Sequence, residues 1–270
     1  MRTSILGVSF LLPLFSLSAA AGFTNLAITA KVNANLQTYT GGASYPLGGQ
    51  TRLLGGVPFA LALYNNAPGT LGAIQLPANN TVTTHSFPVN ITGAARVYTI
   101  INSAWGALGA NNGKIEVFGS AGAYAKLDLI QGSTIRDHYQ GVFQNQLSNP
   151  TVATSRFGND VLDRQVLPLP AAFLTQSIVE FRFSGNGGSA GGSGAAFLAG
   201  VTFQSCPADL NNDGQVDDAD FVLFVPAYNV LDCTDPAMAS GCMADLNSDG
   251  VVDDSDFGIF VVGYNDLVCP

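Results

Sequence analysis

The chain predicts an all-β sandwich of the jelly-roll kind over residues 22–205, followed by a small helical repeat over residues 206–270. Three observations carry this. Between residues 22 and 205, Gly and Pro punctuate short apolar runs, and no segment sustains helical periodicity. Several runs alternate with a period of two, as in 114–118 and 180–183, the pattern of a strand with one face in a core. Beyond residue 205, a twelve-residue motif occurs twice at an offset of 36.

In chain order, residues 1–21 open with Arg2, an apolar run to Leu17 and the small-residue exit Ala19-Ala20-Ala21. That is the pattern of a secretory signal peptide and predicts a secreted protein, extracellular or at the cell surface. No later apolar run reaches the roughly 20 residues that span a bilayer. Eight strands are then expected: 27–32, 57–63, 81–89, 96–101, 114–118, 124–130, 178–183 and 197–203. About 180 residues suffice for a full two-sheet core. The glycine-rich stretch 184–194 reads as a hairpin loop between the last two strands. As an interdomain linker it would leave an orphan strand beyond it. The boundary then falls near Ser205-Cys206-Pro207, with the modules almost directly joined.

The repeat places Asp209, Asn211, Asp213, Gln215, Asp217 and Asp220 in register with Asp245, Asn247, Asp249, Val251, Asp253 and Asp256. Positions 1, 3, 5, 9 and 12 carry oxygen-bearing side chains, and Gly214 or Gly250 stands at position 6. Position 7, Gln215 or Val251, offers its backbone carbonyl. Such spacing gathers oxygens around a hard cation, and two calcium ions are expected. Phe221, Phe224, Tyr228 and Asn229 recur as Phe257, Phe260, Tyr264 and Asn265, so each loop leads into one helix. No helix-forming sequence precedes either loop, so each unit is half of an EF-hand. Residues 206–270 hold thirteen Asp and no Lys, Arg or Glu, a net charge of −13. Like charges about 5 Å apart repel by roughly 1 kcal/mol even in water, so folding of the repeat is expected to need the metal.

This duplicated loop–helix unit resembles a type I dockerin, the calcium-dependent module that fixes polysaccharide-degrading proteins to a cohesin. The resemblance covers residues 207–269. It implies partner contacts at loop positions 10 and 11, here Asp218-Ala219 and Asp254-Ser255, and on the helices that follow, at Val225, Pro226, Val230, Val261 and Val262. The Ser-Thr pair common in the family is absent. Pro226 predicts a kink or early stop in the first helix. The four cysteines, Cys206, Cys233, Cys242 and Cys269, lack the close spacing of metal thiolates and read as disulfides. Of three connectivities, the pseudo-twofold of paired half-hands favours Cys206–Cys269 with Cys233–Cys242. The longer bridge would stabilise by about 4 kcal/mol.

Within the β-domain, Gly55-Gly-Val-Pro-Phe59, Ile101-Asn-Ser-Ala-Trp105 and Gly132-Ser-Thr-Ile-Arg-Asp137 are similar to motifs of galactose-binding-like jelly rolls that accompany secreted glycoside-active proteins. That likeness implies carbohydrate recognition, with Trp105, Tyr124 and Asp137 as candidate contacts. Asp137 is otherwise expected to pair with Arg136 or Arg164, and 163–165 to form another such network. His85 reads as a lone strand-surface residue. Glycoside hydrolysis needs two carboxylates roughly 5–10 Å apart, and Glu116, Asp128, Asp137, Asp160, Asp163 and Glu180 are the domain's only acids. Glu116 and Glu180 alternate with apolar residues, as on a solvent face. No nucleophile elbow, zinc-type His cluster or phosphate-cradling loop occurs. The acidic balance excludes nucleic acid as a main partner. The reading is a secreted, non-catalytic protein of extracellular polysaccharide systems, tethered to a cohesin-type partner. Two alternatives stay open: an extracellular glycoside hydrolase with a dockerin, and a structural surface protein with a calcium-stabilised sorting tag.

Overall fold

The computed structural model describes residues 22–35, 45, 49–62, 72–77, 82–139, 147–149, 151–158, 160–186, 195–211, 215–239, 242–247 and 249–266. The expected signal segment 1–21 lies outside them. Twelve strands are described. One sheet has six: β1 (Phe23–Asn25), β12 (Ala195–Gln204), β6 (Arg96–Ala104), β10 (Asp160–Pro168) and β9 (Ala153–Phe157) in that order, with β4 (Ile74–Gln75) beside β12. The facing sheet runs β5 (Thr84–Thr92), β11 (Ser177–Ser184), β7 (Asn111–Gly119), β8 (Tyr124–Ile130). A hairpin, β2 (Thr51–Leu54) with β3 (Val57–Ala60), stands apart.

Alternation along the strands makes two apolar layers. Val97, Ile101, Ile115, Val117, Phe181, Phe183, Leu198 and Phe203 fill the space between the sheets. Tyr98, Ile100, Leu162, Val166 and Phe197 face the other way, onto Val57 and Phe59 of the hairpin. The six-stranded sheet is therefore covered on both faces, and all nine residues of β6 are buried.

Seven of the eight expected strands are found, 124–130 with its ends unchanged and six with shifted ends. Residues 27–32 instead contain a 3-10 turn at Thr29–Lys31, and the pairing strand lies earlier, at β1. The stretch 184–194 joins β11 and β12, but those strands belong to different sheets, so it is a crossover and not a hairpin loop. Strands β2, β4, β9 and β10 were not legible. β10 carries Asp163, Arg164 and Gln165 in mid-strand, all buried, which hides a central strand behind a polar run.

The tail holds α1 (Asp218–Val230) and α2 (Asp254–Asp266). Pro226 lies within α1, and the helix runs on past it for four residues. Its missing N–H falls on the outer turn at exposed Val222, while Phe224 and Tyr228 hold the helix from the other side. Phe224 and Phe260 meet with ring centroids 5.2 Å apart, at the centre of a small core with Val216 and Val252. Cys233 and Cys242 are joined, as expected. Cys206 is also disulfide-bonded, and Cys269, its expected partner, lies outside the described residues.

The tail rests directly on the six-stranded sheet. Arg96, buried on β6, donates from Nη2 to the carbonyl of Asp245 at 2.7 Å and from Nη1 to Tyr98 Oη at 3.1 Å. Tyr98 donates to Gln204 Oε1 at 2.8 Å, and Gln204 Nε2 to the Cys206 carbonyl at 3.2 Å. Met243 packs against the outer apolar layer, with Arg164 Nη1 3.3 Å from its sulfur. Among the described residues, no helix is long and apolar enough to cross a membrane.

Candidate functional site: two acidic loops

Each loop is built around the carboxylate that ends it. Asp220 accepts backbone N–H groups from Leu210 at 2.7 Å and Asn211 at 2.9 Å on Oδ1, and from Asp217 at 2.9 Å on Oδ2. Asp256 repeats this, accepting from Asn247 and from Asp253, both at 2.9 Å. Asp217 in turn caps α1 by accepting from Ala219 at 2.8 Å, and Asp253 accepts from Ser255 at 2.8 Å. In the first repeat, positions 9 and 12 thus form a reciprocal capping box with Asp in place of Glu. The residues that bend the loop are the ones that start the helix.

Burial separates the candidate ligands. Asp209, Asp220, Asp245 and Asp256, at positions 1 and 12, are 0–2 % exposed. Asn211, Asp217, Asn247 and Asp253 are half-buried, while Gln215, Asp249 and Val251 are exposed. Asp213 lies outside the described residues. Asp245 accepts from Asp249 N at 3.1 Å and Gly250 N at 3.0 Å. Gly250 takes the left-handed backbone, φ 97°, that lets this turn close. Burial, with the nearby Asp256 charge adding to it, pushes the Asp245 carboxyl up to about 6 despite those N–H bonds. Burial also raises Asp256. Carboxylates interred together, in a tail with no Lys or Arg, fit a divalent cation that supplies the missing positive charge. Cys233, Cys242 and Asp245 also lie within 4.8 Å of one another, but the two sulfurs are bonded to each other and are not thiolate ligands.

Of the expected partner contacts, Asp218 and Asp254 turn across the module. Tyr264 donates to Asp218 at 2.6 Å and Tyr228 to Asp254, each phenol reaching the other repeat. These reciprocal bonds are the pseudo-twofold in atomic form. Ala219, Ser255, Pro226, Val261 and Val262 are exposed, and Val225 and Val230 half-buried. The sequence reading did not name Phe221, Val222, Leu223 and Phe257 for this face, yet all are exposed. A shallow cleft of about 290 Å³ runs between the helices, lined by Asp218, Phe221, Phe257, Phe260, Val261 and Tyr264. The signal was present: Phe221 and Phe257 repeat in register, and together they make an exposed apolar patch.

The β-domain candidates scatter. Trp105 is 54 % exposed at the end of β6, Tyr124 46 % exposed on β8 of the other sheet, and Asp137 only 3 % exposed. Asp137 does not pair with Arg136 or Arg164. Its oxygens accept the backbone N–H groups of Trp105 and Tyr139, both at 2.9 Å. Arg136 instead grips Asp163 with two bonds, 2.8 and 2.9 Å, and Asn102 and Thr154 complete that network. Arg164 points to the Thr151 carbonyl. The remaining acids are tied too: Glu116 to Lys114 and Tyr124, Asp128 to Lys126, Glu180 to Arg182. Asp160 lies 3.7 Å from His138 Nδ1, but burial takes that imidazole down to about 4 and keeps it uncharged, with Tyr45 Oη at 2.7 Å.

Paired acidic loops, each feeding one helix, with the helices packed about a pseudo-twofold, define a duplicated cation-dependent interaction module. Residues 207–260 match the family model of the dockerin type I domain, and dockerin domains bind calcium. The chain thus carries a type I dockerin segment behind an N-terminal β-sandwich. No curated protein and no solved structure matches the chain.

Proposed function

We propose that this chain is a secreted, non-catalytic component of an extracellular polysaccharide-binding or -degrading assembly, tethered through its tail to a cohesin-type partner. The observation that carries the reading is the pair of buried carboxylate sets in a segment matching a type I dockerin. Two calcium ions would be held by Asp209, Asn211, Asp213, Gln215, Asp217 and Asp220, and by Asp245, Asn247, Asp249, Val251, Asp253 and Asp256. Bound calcium supplies the positive charge that lets each loop stay closed. The chain's own residues do the rest: Asp220 and Asp256 fasten loop to helix, and the helices present Phe221, Phe257, Val261 and Val262. The tail is read as two half EF-hands, and the sandwich as a galactose-binding-like domain that recognises carbohydrate. Capture of the full chain on immobilised cohesins, with calcium and then with EDTA, tests this. Calcium-dependent capture lost in an Asp209→Ala/Asp245→Ala double variant supports it. Equal capture with EDTA rejects it.

A further inference from the structure

At one end of the sandwich a cleft of about 550 Å³ opens between the two sheets, lined by Asn33, Gln75, Thr83, His85, Trp105 and Ala195, with Leu76 and Pro77. Its volume falls inside the roughly 300–1,000 Å³ of small-molecule sites. Three features show a wall built to hold its shape. Trp105 takes a left-handed backbone, φ 62°, a conformation that costs a non-glycine residue about 1–3 kcal/mol and persists only when its surroundings impose it. Buried Asp137 imposes it, accepting the Trp105 N–H at 2.9 Å. The Asn33 side chain bridges both backbone groups of Gln75, at 2.7 and 3.0 Å, and so fixes the opposite rim. Trp105 is left more than half exposed, on a backbone that is held in place.

The polar side of the cleft points the same way. His85 Nε2 is buried with no hydrogen-bond partner among the described residues. A group in that state costs about 1–3 kcal/mol until something bonds to it. Burial and the Lys31 charge keep the imidazole neutral, able to donate or accept. With His85 neutral, none of the described lining residues carries a charge, so the cleft offers no ion pair to a charged ligand.

We infer that this cleft binds an uncharged glycan, with a pyranose ring stacked on Trp105 and its hydroxyls turned to His85, Thr83 and Gln75. The inference rests on the sandwich being a carbohydrate-recognising domain, and it moves the contacts. Asp137 becomes the positioning residue beneath Trp105, and Tyr124, on the other sheet, takes no part.

Trp105 is the chain's only tryptophan, so its emission reports directly on the cleft. The calcium-loaded full chain is titrated with cellohexaose, xylohexaose, mannohexaose and, as the charged comparison, oligogalacturonate, by fluorescence and by calorimetry. At least one neutral hexaose should shift the emission. Trp105→Ala and His85→Ala, each checked for an unchanged melting profile, should weaken it at least tenfold, and Tyr124→Ala less than twofold. Thr83→Arg, which fills the cleft without touching the Trp105 backbone, should also abolish binding. Binding retained in all three cleft variants overturns the cleft and leaves carbohydrate recognition standing. Binding of oligogalacturonate alone overturns the uncharged class. No binding by any probe removes both the cleft and the carbohydrate reading, while cohesin capture remains a separate measurement.

Discussion

Removing calcium should loosen the sandwich as well as the tail, and Arg96 is the residue that transmits the effect. Arg96 Nη2 holds the main-chain carbonyl of Asp245, the first residue of the second loop, at 2.7 Å. Arg96→Met keeps the volume and deletes the contact. A hydrogen bond to a charged donor contributes about 1.5–3 kcal/mol. The change also relieves Arg96 Nε, which is buried without a partner among the described residues, so the net cost is about 1–2 kcal/mol. The larger effect is on coupling. At calcium 100 times its dissociation constant, one site stabilises by about 2.7 kcal/mol. For a chain of this size that raises the melting temperature by roughly 5–10 °C. Trp105 emission follows the sandwich, and helix ellipticity follows the tail. In the unmodified chain both signals should move together by that amount between EDTA and calcium. In Arg96→Met the helix signal should still move, and the Trp105 signal by less than about 3 °C. A Trp105 transition indifferent to EDTA in the unmodified chain would show that the contact carries no coupling.

Further outcomes follow from the same geometry. Asp220→Ala should prevent the first repeat from folding even in saturating calcium, since it frees three backbone donors as well as a ligand, whereas Asp249→Asn should only weaken calcium binding; helix content against calcium distinguishes them. The metal-free fold should lose stability as pH rises. Asp245 has a folded value of about 6, above the ordinary carboxylate range, so its contribution is fully present below pH 4 and is lost between about 4 and 6; urea melts in EDTA at pH 4.5 and 7 test the sign. Reducing Cys233–Cys242, a separation of nine residues, should cost about 2.5 kcal/mol in the tail, read from chemical melts with and without reductant. Asp163→Asn should destabilise the sandwich by about 3–5 kcal/mol, because it breaks a buried ion pair and leaves the Arg136 charge with only the Thr154 hydroxyl; an unchanged melt would remove that network from the account of the core.

The tail was readable because its chemistry is local. Motif spacing and helix phase lie within twelve to twenty residues, and both recur in the second copy. The sandwich was readable where a strand alternates or is an apolar run, as in β7 and β12. β10 escaped because Asp163 and Arg164 are buried by partners far away in sequence, Asn102 and Arg136 for one and the Thr151 carbonyl for the other, and a single strand does not show that such partners exist. The glycine-rich crossover misled for a related reason: two consecutive strands say nothing about which sheet each joins. Asp137 misled because its partner is a backbone N–H, which every residue has and no motif records.

The bonded string from Asp245 through Arg96, Tyr98 and Gln204 to Cys206 leaves no slack between the two halves. Whatever seats the helical half also sets the heading of the sandwich, as a bracket sets the angle of a lamp. On a long tether, neighbouring copies would sweep a shared volume. Without one, copies docked side by side would each keep one bearing, and their crowding would be decided by shape and not by reach.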